Sequence, residues 1–189
     1  HVMIDAEGVE HRVDPVDGPS TLELRCTFGA GVPVPTATPD IVWRAGLERS
    51  PVRLDRADDE RWLRTLIWPE ERERAAQLDA AIAIAREHPP HLVAGDAVEG
   101  LATLAAHAPP DATLVVASPA VLVYLAPADR ARFVAAVTEL PGHWVSLDGR
   151  RVLPEVGEAA DALLPGAGDD FVLSRDGRPL AVVSAHGER

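Results

Sequence analysis

Four polar residues each follow an apolar run that reads as a buried strand: Glu48 after residues 41–47, Asp96 after 91–94, Ser118 after 112–117 and Asp148 after 143–147. Open α/β sheets hold their ligands at the carboxyl ends of the strands, so these four residues mark the candidate site. Carboxylates placed there accept hydrogen bonds from ribose hydroxyls or from an adenine amino group, and the ligand they predict is a small molecule of nucleotide type. Asp96 has an equally good local use. It directly precedes the helix expected from Ala97, where its side chain would cap exposed amide groups and stabilise the helix by ~1 kcal/mol. For Glu48 and Asp148 the alternative is a solvated loop carboxylate. Tyr124, beyond the end of a central strand, is placed to line the same crevice; Trp68, fixed at a rigid corner by Pro69, either lines it or plugs the core, the plainer role. Trp62 belongs to an apolar helix face and is expected in the core.

Other chemistries fail on particular residues. Ser118 stands where α/β-hydrolases carry their nucleophile, but Val116 and Ala120 occupy the positions where that turn needs glycine. Pro119 also lacks the N–H that would enter an oxyanion hole, so a strand terminator is the plainer role for Ser118-Pro119. Gly29-Ala30-Gly31 follows a strand, yet Val32-Pro33-Val34-Pro35 replaces the helix that would hold a pyrophosphate, and Gly166-Ala167-Gly168 fails likewise. The seven histidines are dispersed, with two prolines between His88 and His91, so no metal is expected. The sequence contains no lysine: all 18 basic residues are arginine, which removes Schiff-base chemistry and the Walker-type phosphate loop.

The elements that must position the candidate residues change texture near Ile41. Before it, residues 3–4 and 9–13 flank a turn-like Asp5-Ala6-Glu7-Gly8, and residues 21–28 alternate with Leu22, Leu24, Cys26 and Phe28 on one face, which predicts antiparallel β structure with one wet side. Residues 29–39 carry three prolines and two glycines and form a surface connection. From Ile41 strands and helices alternate. A strand at 41–47 is followed by a helix from Asp58, a break at Trp68-Pro69, and a second helix from Pro69 with Ala75, Leu78, Ile82 and Ala85 as its buried stripe. Next come a strand at 91–94, a helix at 97–107, a strand at 112–117, a helix at 127–140 and a strand at 143–147. A hairpin, 171–174 and 180–185, turns at Asp176-Gly177. Leu114-Val115-Val116 is apolar on both faces, as in a parallel sheet covered on each side. The expected fold is α/β: a single domain over 1–189 with a Rossmann-like, doubly wound and mostly parallel sheet and an antiparallel C-terminal hairpin. Residues 1–40 add an N-terminal β-hairpin or meander, and 149–168 is the most linker-like later segment.

Trp43-Arg44-Ala45-Gly46-Leu47-Glu48, Arg61-Trp62-Leu63, Leu66-Ile67-Trp68-Pro69-Glu70 with Arg74, Gly95-Asp96-Ala97, Val115-Val116 with Ala120-Val121-Leu122-Val123-Tyr124-Leu125, and Ala185-His186-Gly187 occur in that order. In this the chain, from about Trp43 onward, resembles a bacterial family of uncharacterised proteins, a domain of unknown function, that is itself similar to class I S-adenosylmethionine-dependent methyltransferases. The resemblance implies S-adenosylmethionine as cofactor, with Glu48 at its ribose, Asp96 and Ala97 near its adenine and Ser118 where the motif beside methyl transfer begins. Arg44, Trp68, Tyr124 and Asp148 would line the pocket, and no catalytic residue is assigned. The family has an aromatic-His-Ser run where this chain has Ala117-Ser118-Pro119, and aspartate where Glu48 stands. It also has a first, glycine-rich βα unit that this chain lacks. That unit's strand would occupy the sheet centre, so the chain is expected to be the carboxyl portion of a longer protein, or to have the gap covered by its amino-terminal residues or by a second copy.

The net charge of −12, with arginines scattered rather than clustered, excludes a nucleic-acid surface, which needs a basic stripe. The single cysteine, Cys26, has no partner and is expected to be buried and inert. No apolar run reaches the ~20 residues of a membrane span, and the expected setting is the cytoplasm. A small molecule is the expected partner, with a homodimer as the other association considered. The alternative to an enzyme is a non-catalytic scaffold that keeps the fold.

Overall fold

The computed structural model describes residues 1–16, 18–163 and 171–184. Gly166, Gly168 and Ala185-His186-Gly187 lie outside them. The chain divides into two compact units, His1–Gly95 and Asp96–Arg189. Together they form a mixed α/β protein with five α-helices and several small sheets, some of them parallel, among the described residues. None of these helices is long and apolar enough to cross a membrane.

In the first unit β1 (Val2–Ile4), β2 (Glu10–Arg12) and β3 (Arg25–Thr27) form a sheet in the order β2-β1-β3. The Asp5 turn behaves as its sequence predicts: Oδ1 accepts from the N–H of Glu7 (3.1 Å) and of Val9 (2.8 Å), and Gly8 takes φ +82°. The expectation of antiparallel pairing throughout is corrected at β3, which runs parallel to β1. Residues 13–24, interrupted by Pro15, Gly18 and Pro19, are too long for a hairpin turn and long enough to return the chain in the same direction. Cys26 in β3 is half-buried, and burial pushes its thiol pKa up.

Further on, β4 (Ala45–Glu48) pairs in parallel with β5 (His91–Ala94). The crossover contains α1 (Ala57–Thr65) and α2 (Arg72–Glu87). Asp58, Asp59 and Glu60 stand in the first turn of α1, where the helix dipole favours negative charge. Two boundaries move. Ile41 and Val42 are exposed and precede the strand, and α2 begins at Arg72 rather than Pro69. Trp62, expected in the core, is 61% exposed, and α1 contains no buried residue. A two-stranded sheet offers too little apolar surface to cover a helix face.

The second unit opens with α3 (Ala97–Ala105) and carries a four-stranded sheet in the order β6-β7-β8-β9. β6 (Val115–Pro119) is parallel to β7 (His143–Gly149), and β8 (Phe171–Arg175) and β9 (Arg178–Val183) continue antiparallel. Asp176 (φ +53°) and Gly177 (φ +73°) make the tight turn their sequence predicts. Between β6 and β7 lie a 3-10 turn at Leu122–Tyr124 and α4 (Pro127–Thr138), and between β7 and β8 lies α5 (Pro154–Leu163). Thus part of 149–168 is helix and not linker: Pro154 and Glu155 open it, and Val156 and Ala160 pack on Val172 of β8. Along β7, Trp144, Ser146 and Asp148 are buried while Val145, Leu147 and Gly149 are half-buried and His143 is exposed. α4 covers the same face, where the Phe133 ring meets Trp144 edge-on at 6.1 Å. Gly142, at φ +101°, lies so close to Leu114 that a Cβ would sit 2.1 Å from its carbonyl oxygen, so β7 can start there only after glycine.

Candidate functional site

The parallel register of β4 and β5 sets Glu48 opposite Ala94, and the Gly95 N–H donates to the Glu48 carbonyl (3.1 Å). Asp96 follows directly. Its Oδ1 accepts from the N–H groups of Val98 (2.9 Å) and Glu99 (3.4 Å), the capping role expected of it, while Oδ2 carries no bond among the described residues. Ala97 is the first residue of α3. Glu48 is exposed at the strand end, with Oε1 accepting weakly from the Ser50 N–H (3.3 Å). Glu48 is thus an exposed strand-end carboxylate of the first unit, and Asp96 a helix-capping carboxylate of the second. Arg44 is turned to other work, its Nη2 donating to the His88 carbonyl (3.0 Å). Trp68 is 73% exposed and so is no part of an enclosed pocket wall.

In the second unit Ser118, Ser146 and Ser174 form one buried row across β6, β7 and β8. Trp144 Nε1 donates to Ser118 Oγ (2.9 Å), and the Ser146 and Ser174 hydroxyls are 2.8 Å apart. These bonds satisfy the row internally, and they answer why a serine stands at the end of β6: its hydroxyl holds an indole. Beyond it Ala120 adopts φ +53° with its N–H on the Leu147 carbonyl (2.7 Å), and Leu122 is wholly buried. Tyr124, by contrast, is 87% exposed and does not turn into a crevice.

Asp148 departs furthest from its expectation. It is not a loop carboxylate but a strand residue, 3% exposed, and neither oxygen has a well-formed hydrogen bond among the described residues. Burial raises its pKa to about 6, against the weaker opposing pull of the Leu122 N–H and the Arg130 guanidinium. Arg130 is fully engaged elsewhere. Nε donates to the Leu122 carbonyl (3.0 Å), Nη1 to that of Val152 (2.8 Å) and Nη2 to that of Leu125 (3.2 Å), so one side chain ties the segments after β6 and β7 together. Arg150 is the other residue that sequence reasoning passed over. It lies just past the end of β7, in the turn before α5, and no local pattern marks it. Arg130 offers no signal either, since its partners are backbone atoms remote in sequence.

Residues 5–189 match the family described as an uncharacterized protein conserved in bacteria, DUF2332. The chain belongs to DUF2332. No curated protein and no solved structure matches it. This DUF2332 member thus carries Glu48 at the carboxyl end of β4, Asp96 as the cap of α3, and the buried Asp148 near the end of β7.

Proposed function

We propose that this DUF2332 chain is a methyltransferase-like protein that binds S-adenosylmethionine at the carboxyl ends of its parallel strands, which in the complete protein belong to one Rossmann-like, doubly wound sheet. The observation that carries this reading is Glu48, an acidic residue at the exposed carboxyl end of the parallel strand β4; Asp96, the cap of α3, is the second acidic group in it. Glu48 would accept the ribose hydroxyls, and Asp96 Oδ2 and the Ala97 N–H would meet the adenine edge. The adenosine half of the cofactor therefore finds suitable groups here. The methionine half does not, because no glycine-rich strand-to-helix turn occurs in this sequence. When bound, the cofactor supplies an electrophilic methyl group; the protein's part is to orient the acceptor and exclude water, which demands no proton-transferring side chain. Calorimetric titration of the full-length gene product with S-adenosylmethionine and its demethylated product tests this. The expected result is saturable binding that weakens at least ~10-fold in Glu48→Gln, the loss of about one good hydrogen bond to a charged group. No binding at millimolar ligand overturns it.

One observation favours a second reading, a non-catalytic scaffold. Trp62 and Trp68 are both largely exposed, and Ser118 is occupied by Trp144. Large exposed aromatics mark interaction surfaces. A stable homodimer that Trp62→Ala or Trp68→Ala dissociates, together with no cofactor binding, supports the scaffold.

A further inference from the structure

The tight turn between β8 and β9 sets two arginines face to face. Arg175 and Arg178 are register partners across the hairpin, about 5.5 Å between their Cα atoms for such a pair, with both side chains on one face and exposed. Like charges directly opposite one another on two strands are destabilising, and no carboxylate is given over to these. Arg178 makes no hydrogen bond or ion pair among the described residues, and Arg175 comes only within 3.8 Å of Asp176 Oδ2, too far for a hydrogen bond. Asp176 is already committed. Its Oδ1 accepts from the Trp144 N–H (2.7 Å) and its Oδ2 from His143 Nδ1 (2.9 Å), while its own N–H donates to the Trp144 carbonyl (2.8 Å). The first unit shows what two neighbouring arginines do when an anion is at hand. Arg12 and Arg25 share Glu23, Nη1 of the one meeting Oε2 at 2.9 Å and Nη2 of the other meeting Oε1 at 2.7 Å.

A dianion would complete the arrangement at the turn. Guanidinium groups bind phosphate oxygens through pairs of parallel N–H donors. A phosphate monoester carries about −1.5 to −2 at neutral pH, enough to balance two arginines where a carboxylate balances one. We propose that Arg175 and Arg178 form a binding site for a phosphate group, that of a phosphomonoester or free phosphate, on the β8–β9 turn. The platform is preformed. Asp176 pins the turn to the first residues of β7 through its bonds to Trp144 and His143, so binding has only the two arginine side chains to order. Gly177 leaves the approach open, since a Cβ there would meet nothing within 4 Å. The net charge of −12 repels anions at a distance, and binding therefore rests on direct contact with the two guanidinium forks. The turn lies at the amino end of β7, whereas Asp148 stands near its other end. This inference is separate from the cofactor reading, and either can fail without the other.

The test is an NMR titration of the full-length protein that follows the Gly177 amide at constant ionic strength and about pH 7.5, above the second phosphate pKa of ~6. Inorganic phosphate and phenyl phosphate are the probes, and phenyl sulfate, of similar shape but with a single charge, is the comparison. Saturable shifts are expected with both phosphates. Binding should be at least ~10-fold weaker for phenyl sulfate, and at least ~10-fold weaker for phenyl phosphate in Arg175→Gln and in Arg178→Gln. Both side chains are exposed, so these variants keep the fold. Equal affinity for the two phosphates assigns the site to the phosphate group alone and tighter binding of phenyl phosphate to a phosphorylated organic molecule, and both uphold the proposal. Shifts that do not saturate, equal binding of phenyl sulfate, or undiminished binding in Arg178→Gln overturns it.

Discussion

The parallel pairs β4–β5 and β6–β7 have very different surroundings. β4 and β5 stand alone as a two-stranded sheet, whereas β6 and β7 continue into β8 and β9. Among the described residues the first unit buries Val2, Met3, Val13 and Ile82. The second buries Leu101, Leu122, Phe133, Val137, Trp144, Val152, Val156, Ala160 and Val172. Every buried polar side chain among the described residues, namely Ser118, Ser146, Asp148 and Ser174, is also in the second unit. A strand is buried by its neighbours and by the helices laid across it, so the same apolar pattern gives a core in one place and exposed Trp62, Leu66 and Trp68 in the other. The contrast also sorts the site residues. Glu48 is at an exposed strand end and can be altered at little structural cost, while Asp148 is enclosed and carries an energetic consequence whatever it binds.

This contrast can be broken by mutation. The largest effect is expected at Phe133, whose truncation to alanine leaves a cavity against Trp144 and should cost ~3–5 kcal/mol in urea unfolding. A loss below about 1 kcal/mol would deny the second unit its core. Asp148→Asn should act in the opposite direction. The native carboxyl titrates at about 6 against 3.8 when unfolded, so between those values the folded state binds more protons and stability falls as pH rises. At pH 7 the ionised, buried form is penalised by about 2–3 kcal/mol, and the variant should gain that much there and nothing below pH ~3.8. A pH-independent difference contradicts the burial. Asp96→Ala removes the helix cap and should cost ~1 kcal/mol, measured by thermal unfolding; a neutral result would mean that the cap bonds contribute nothing. Trp62→Ala should change stability by less than ~0.5 kcal/mol, as for an exposed side chain. A larger loss would show that the first unit has a core that the exposure of Trp62 contradicts.

The sequence made some features legible for physical reasons that are purely local. The Asp5 and Asp176-Gly177 turns, the Asp96 cap, and the strand at His91–Ala94 depend on residues within a few positions of each other, and all appear where expected. What depends on distant neighbours was not legible. Trp62 has the spacing of a core residue, but whether a helix face is covered is decided by the size of the sheet beneath it. Asp148 looks like a loop acid because it ends an apolar run, and only the pairing of β7 with β8 and the packing of α5 enclose it. Arg130 became a tie between two segments through carbonyls of Leu122, Leu125 and Val152, atoms that every residue possesses and that no side-chain pattern marks. The position of Glu48 at the carboxyl end of a parallel strand was legible, by contrast, because an apolar run followed by a charged residue is a local pattern.

The most direct measurement of the central claim is hydrogen exchange of the full-length protein with and without S-adenosylmethionine. Slowed exchange is expected at residues 48–50 and 96–98, with β1 to β3 unchanged. No slowing at 48–50 or 96–98 at saturating cofactor would contradict that claim.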